Sequence, residues 1–227
     1  MAPASVVVHD GTVPDTAQPA TAEPDRAGAA ADAPTFAAAP PERIELPGGQ
    51  LLVRIDPDRT AKAVAAVNAS LDHLRPWMAW AQEPATEASI GAFFAEARDA
   101  WDARREFGYS IVAADDDEVL GGCGLHGRLG PHGLEIGYWV HVDHVGRGLA
   151  TEASRALTDA AFAIPGIDRV RIRCEDGNAA SARVPEKLGY SLIAVEIPDD
   201  GPCASRPTQT WVVERDAWMT RRDQPRP

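Results

Sequence analysis

The stretch LEIGYWVHVDHVGRGLATEASRALTDAAFA, from Leu134 to Ala163, carries two hydrophobic periods with a glycine loop between them. Leu134, Ile136, Tyr138, Val140 and Val142 fall on one parity and Glu135, Gly137, Trp139 and His141 on the other, the pattern of a strand with one apolar face. Leu149, Ala153, Ala156, Leu157, Ala160 and Ile164 then recur at helical spacing. Between the two lies Val145-Gly146-Arg147-Gly148. A strand that turns through glycines into a helix leaves several N–H groups unpaired and aimed one way, which suits a phosphate. Arg147 adds charge at that end and Thr151 a hydroxyl. By itself the loop fits an ordinary strand-to-helix connection equally well, because no G-K-[ST] follows and the G-x-G-x-x-G spacing is absent.

A chain of 227 residues with 44% hydrophobic content supports one sizeable core plus a tail. The formal net charge of −12 argues against nucleic acid or an anionic membrane as partner, and fits either a cationic substrate or plain solubility. Cys123, Cys174 and Cys203 are odd in number and form no C-x-x-C pair, which points to a reducing compartment, no disulfide framework and no metal site. The longest early apolar run, Val6 to Val8, is too short for a signal peptide or a span. A cytoplasmic monomer or homodimer is expected.

Residues 1–41, rich in Ala, Pro, Asp and Thr, cannot bury enough surface to offset the entropy of ordering and read as a disordered tail. Residues 42–220 read as one domain and 221–227 as a short C-terminal tail. Ile44 to Ile55 opens as a hairpin around Pro47-Gly48-Gly49, and Asp56-Pro57 caps a helix expected to run to Pro76. Thr86 caps a second helix striped by Ile90, Phe93, Phe94, Ala97 and Trp101, with Gly108 as its C-terminal glycine. Tyr109–Ala114 and Val119–Leu125 read as a hairpin, and Arg169–Cys174 as a strand after the central helix. Asn178 caps a short helix ending at Gly189, and strands near Tyr190–Val195 and Thr208–Val213 close the chain.

EIGYWV, then GRGLATEA, then NAASARVPEKLGY, in that order, resembles the GNAT acyl-CoA N-acyltransferase superfamily. The resemblance is nearest to its Rim-type branch, which acetylates protein N-termini and small amines, and it spans roughly Leu46 to Trp218. It implies an α/β fold with a mixed, mostly antiparallel sheet flanked by helices, acetyl-CoA as cosubstrate and an amine acceptor. It further implies that the amides of Val145, Gly146, Arg147, Gly148, Leu149, Ala150 and Thr151 hold the CoA pyrophosphate. The CoA arm would pass Val140, His141 and Val142, where the strand parts from its neighbour, and Asn178 would order the loop and arm. Two residues depart from the family pattern: Val145 stands where members carry Gln or Arg, and Pro185 stands where many carry an acid tyrosine.

Acyl transfer from a thioester to an amine needs a neutral amine, a polarised carbonyl and a proton for the departing thiolate. Glu135, on the polar parity of the central strand, is the first candidate base, and family members often carry a base there; its alternative is an ion-paired strand glutamate. His126 is the second candidate, since imidazole titrates near neutrality. A backbone N–H near Val140 would polarise the carbonyl. Because Pro185 cannot donate a proton, Ser181 is the acid the resemblance implies, or else a helix-surface serine. Trp77 and Trp80, within the Rim-like stretch LRPWMAW, either border the acceptor cleft or pack the core. Besides an N-acetyltransferase, the two departures leave a second reading: a non-catalytic CoA-binding sensor or interaction module.

Overall fold

The computed structural model describes residues 34–115, 118–197 and 206–222. These residues form an eight-stranded sheet in the order β1-β2-β3-β4-β5-β6-β8-β7. The strands are β1 (Arg43–Glu45), β2 (Leu51–Arg54), β3 (Glu106–Val112), β4 (Val119–His126), β5 (Gly133–Val140), β6 (Arg169–Glu175), β7 (Ser191–Glu196) and β8 (Thr208–Glu214). Neighbours pair antiparallel except β5 and β6, whose parallel pairing requires a crossover. That crossover is the helix α4 (Leu149–Ala163). The other helices are α1 (Thr60–Ala69), α2 (Leu71–Leu74), α3 (Glu87–Asp102), α5 (Ala179–Leu188) and α6 (Arg215–Arg222).

The expected mixed sheet is therefore present, and its core lies where the two periods of the opening stretch meet. Leu134 and Ile136 of β5 pack against Leu149, Ala153, Leu157 and Ala161 of α4, all of them buried. α6 is fastened across the end of α4. Its Trp218 donates from Nε1 to Asp159 at 2.9 Å, and Arg215 donates from Nε to the Ile167 carbonyl at 2.8 Å.

Four sequence expectations are corrected. The helix expected to reach Pro76 breaks at Ser70, because the Ser70 hydroxyl bonds back to the Ala66 carbonyl at 2.8 Å and also accepts the Val142 amide at 3.0 Å. Gly108 does not end α3 but lies inside β3, where a methyl group would meet Ile55 Cδ1 at 2.7 Å. α3 ends at Asp102, and Arg104, at φ 55°, takes the left-handed turn that glycine usually supplies. Arg221 and Arg222, expected in the C-terminal tail at 221–227, instead end α6.

The fourth correction concerns the domain boundary. Phe36 is 3% exposed and packs against Phe107 with ring centroids 6.1 Å apart, so ordered structure begins before residue 42. Its amide donates to the Arg104 carbonyl at 2.9 Å, and the Tyr109 hydroxyl donates to the Pro41 carbonyl at 2.7 Å. Of the tail expected at residues 1–41, residues 1–33 lie outside the described residues, as do Cys203 and residues 223–227. Phe36→Ala is expected to lower the unfolding free energy by about 3–5 kcal/mol, the range for truncating a buried phenylalanine. Urea denaturation would check this, with deletion through residue 33 much less costly than deletion through residue 41.

Candidate active site

β5 and β6 pair through four positions, from Gly133 with Arg169 to Ile136 with Ile172, and then part. β5 nevertheless continues to Val140 with β4 still paired along its other edge, and β6 continues to Glu175. Beyond Ile136 the chain therefore forms a fork with one open edge of β5. The His141 amide donates to the Leu120 carbonyl on the β4 side at 2.8 Å. Because successive strand amides alternate edges, the Val140 N–H faces into the fork.

Just past the fork, Gly146 (φ 74°) and Gly148 (φ 82°) take left-handed conformations before α4 begins. A methyl at either meets nothing within 4 Å, so backbone conformation and not crowding calls for glycine. Glu152 is the first residue of α4 whose amide reaches a carbonyl, that of Gly148 at 3.0 Å. The amides of Gly146, Arg147, Gly148, Leu149, Ala150 and Thr151 find no acceptor among the described residues. Arg147 and Val145 are exposed, and Thr151 is half-buried. This is a concentrated, unsatisfied donor set at the positive end of a helix dipole.

His141 and Val142, expected along the cofactor arm, offer no free amide. The His141 amide is held by Leu120 and that of Val142 by Ser70. The His141 ring is buried, and its Nδ1 accepts the Asp143 amide at 3.2 Å. Both residues anchor the loop. On the far side, Asn178 caps α5 by accepting the Ser181 amide at 3.1 Å.

One face of β5 carries Glu135, Gly137 and Trp139. Glu135 is 4% exposed and gripped by three guanidinium groups: Arg128 Nη1 at 2.8 Å on Oε1, and Arg171 Nη2 and Arg173 Nε at 2.7 and 2.8 Å on Oε2. Burial alone would raise its pKa, but the charges of Arg171, Arg173 and Arg128 overturn that and take it from the ordinary 4.5 to about 2. A carboxylate so stabilised is a poor proton acceptor near neutrality, and the arrangement is that of the ion-paired strand glutamate held as the alternative to a base.

His126 lies directly across from Glu135 on β4. Its Nδ1 is 3.0 Å from Glu106 Oε2, and its side chain is 22% exposed. With Nδ1 donating to that carboxylate, the basic lone pair falls on Nε2. A methyl at Gly137 would come within 3.2 Å of Nε2, so the ring lies over β5 beside the fork. Trp139 lies similarly across Gly122, with its Nε1 2.6 Å from where a methyl there would be. Trp80, 43% exposed, meets Trp139 edge-on at 6.3 Å. Trp80 thus borders this face, whereas Trp77 is half-buried. The sequence reading missed Glu106 and Trp139. Trp139 shares the parity of Glu135 and was visible there.

The opposite face carries Tyr138. Its hydroxyl lies 2.9 Å from Ser181 Oγ and 3.1 Å from the Ser181 carbonyl oxygen. α5 is continuous from Ala179 to Leu188 with Pro185 inside it. Pro185 has no N–H for the Ser181 carbonyl four residues earlier, and the Tyr138 phenol supplies the missing donor.

The sequence model of the GNAT acetyltransferase domain matches residues 51–191, well over half of the chain. The chain belongs to this family. It is 35% identical over 83 residues to the uncharacterised N-acetyltransferase YjdG of Bacillus subtilis (strain 168), covering 36% of this chain and 49% of that protein. The chain thus spans about half the length of the curated relatives it matches. In fold it is similar to RimL, a ribosomal-protein alpha-N-acetyltransferase solved with coenzyme A, at TM-score 0.69 and 19% identity, covering 78% of this chain and 99% of RimL. It is also similar to Mycobacterium smegmatis RimJ with a CoA disulfide, at TM-score 0.65 and 21% identity, covering 77% of this chain and 86% of RimJ.

Glu135→Gln is expected to cost about 3–5 kcal/mol of stability, since it strips a buried ion cluster of the carboxylate that all three guanidinium groups share. The carboxyl's pKa is depressed on folding, so its contribution is full above about 4.5 and is lost as pH falls toward 2. Wild type and variant should therefore converge in stability over that window, as thermal unfolding at a series of pH values would show.

Proposed function

We propose that this chain transfers an acetyl group from acetyl-CoA to a primary amine, either a protein N-terminus or a small-molecule amine, by direct attack. The observation that carries this reading is the fork of β5 and β6 opening beside the unpaired amides of residues 146–151. Those amides and Arg147 suit the pyrophosphate, and the freed edge of β5 suits the amide-bearing arm. The Val140 N–H, aimed into the fork, would donate to the thioester carbonyl as negative charge builds on oxygen. His126, oriented by Glu106, would take the proton of the attacking amine, directly or through water. Ser181 on the opposite face would protonate the departing sulfur. The exposed Trp80 and its partner Trp139 border the acceptor side. That RimL, a ribosomal-protein alpha-N-acetyltransferase, shares the fold supports an N-terminal amine as one acceptor class.

Incubating the protein with acetyl-CoA and a panel of peptides and small amines, and following free thiol, tests the activity. Thiol release that depends on an amine is expected. CoA binding without turnover would instead establish the non-catalytic module. Gly148→Val should abolish CoA binding, because valine is strained at a φ of 82°, whereas Val145→Gln should change it little. His126→Asn should lower kcat at pH 7 by roughly a hundredfold with acetyl-CoA affinity retained, and the loss should shrink at high pH, where the amine is already neutral.

A further inference from the structure

Resting on the acetyl-transfer reading, we propose that Tyr138 is a positioning residue for the protonation of the departing thiolate: its phenol holds the Ser181 hydroxyl at the mouth of the fork. Three independent features converge on this pair. The first is placement. Tyr138 stands on β5 two residues beyond the last β5–β6 pair, and Ser181 stands in the first turn of α5, so their contact spans the opening itself. Tyr138 also lies on the face of β5 opposite His126, so nitrogen and sulfur would be served from opposite sides of one gap.

The second feature is Pro185. Without an N–H at this position the Ser181 carbonyl lacks its helical partner, and the phenol fills that vacancy at 3.1 Å while lying 2.9 Å from Oγ. The carbonyl therefore pins the tyrosine in place beside the hydroxyl. The third is protonation state. Burial raises the Tyr138 pKa, and the Ser181 hydrogen bond only partly opposes this, so the phenol keeps its proton across the neutral range. Because the phenol's one hydrogen goes to the Ser181 carbonyl, its oxygen is left to accept from the Ser181 hydroxyl, which holds that hydroxyl in place until it turns to the sulfur. Tyr138 is thus a fixed anchor for the serine hydroxyl and not itself the proton source.

In the step, the amine nitrogen forms its bond to the acetyl carbon, and the carbon–sulfur bond breaks with its electron pair passing to sulfur. Ser181 gives its proton to that sulfur and recovers one from solvent. The nitrogen's surplus proton passes through His126 to solvent, so one proton is released for each one taken up.

The test uses the full chain and the acetyl-CoA thiol assay. Tyr138→Phe is expected to lower kcat roughly ten- to a hundredfold, within the range for impaired proton transfer, with the CoA dissociation constant unchanged within about twofold. The double variant with Ser181→Ala should be no slower than Ser181→Ala alone, as residues acting as a unit are not additive. Multiplying losses, or an undiminished kcat in Tyr138→Phe, would overturn the proposal. Because Tyr138→Phe also strips the Ser181 carbonyl of its donor, Pro185→Ala is added in that background to return a helical N–H to it. Recovered melting temperature with kcat still low is expected. Recovery of both would make Tyr138 a mere structural plug and overturn the role proposed. No thiol release from the unaltered protein with any amine would overturn the acetyl-transfer reading, and this proposal with it, before any variant is made.

Discussion

The Glu135 carboxylate is the rivet on which the site depends. It joins Arg171 and Arg173 of β6 to β5 at the penultimate pair before the strands separate, and Arg128 closes over it from the loop after β4. Parallel strands that diverge lose ladder hydrogen bonds, and something must stop the separation from running back toward Gly133. Three charge-assisted contacts on a nearly dry carboxylate oppose that by binding the two strands side by side where the fork begins. The open edge above it, the Val140 amide and the contact between Tyr138 and Ser181 all take their positions from where that separation starts.

Much of the fold was legible because it rests on local signals. The alternation from Leu134 to Val142, the glycine loop and the helical stripe from Leu149 to Ile164 correspond to β5, the unpaired amides and α4. What escaped the sequence depends on partners far apart in the chain. Glu135 sat on the polar parity and resembled a cleft base. Only cross-strand pairing shows that Arg171 and Arg173, themselves alternating on one parity, share its face. Two arginines alternating inside a strand were in fact a sign that a buried carboxylate awaited them. Phe36, the one large aromatic in an Ala- and Pro-rich run, gave no periodicity, and only Phe107 and Arg104 explain its order. The break at Ser70 is likewise tertiary, since its hydroxyl is drawn off by the Ala66 carbonyl and the Val142 amide.

The proline at position 185 illustrates a local rule broken and repaired from outside. A helix-interior proline leaves one carbonyl without its donor, and here the repair comes from a tyrosine on a neighbouring strand. The repair ties α5 to β5 by a side chain at the level where β6 no longer links them.

The two sides of the fork also bear on traffic. In the proposed reaction the acylated nitrogen departs on the side of His126 and Trp80, while the thiol withdraws on the side of α4 and α5. The two products then leave by separate doors, and neither must wait for the other to clear the path. A sheet that parts along one seam would in that sense serve the proposed single displacement as a turnstile, with amine and thiol on separate sides.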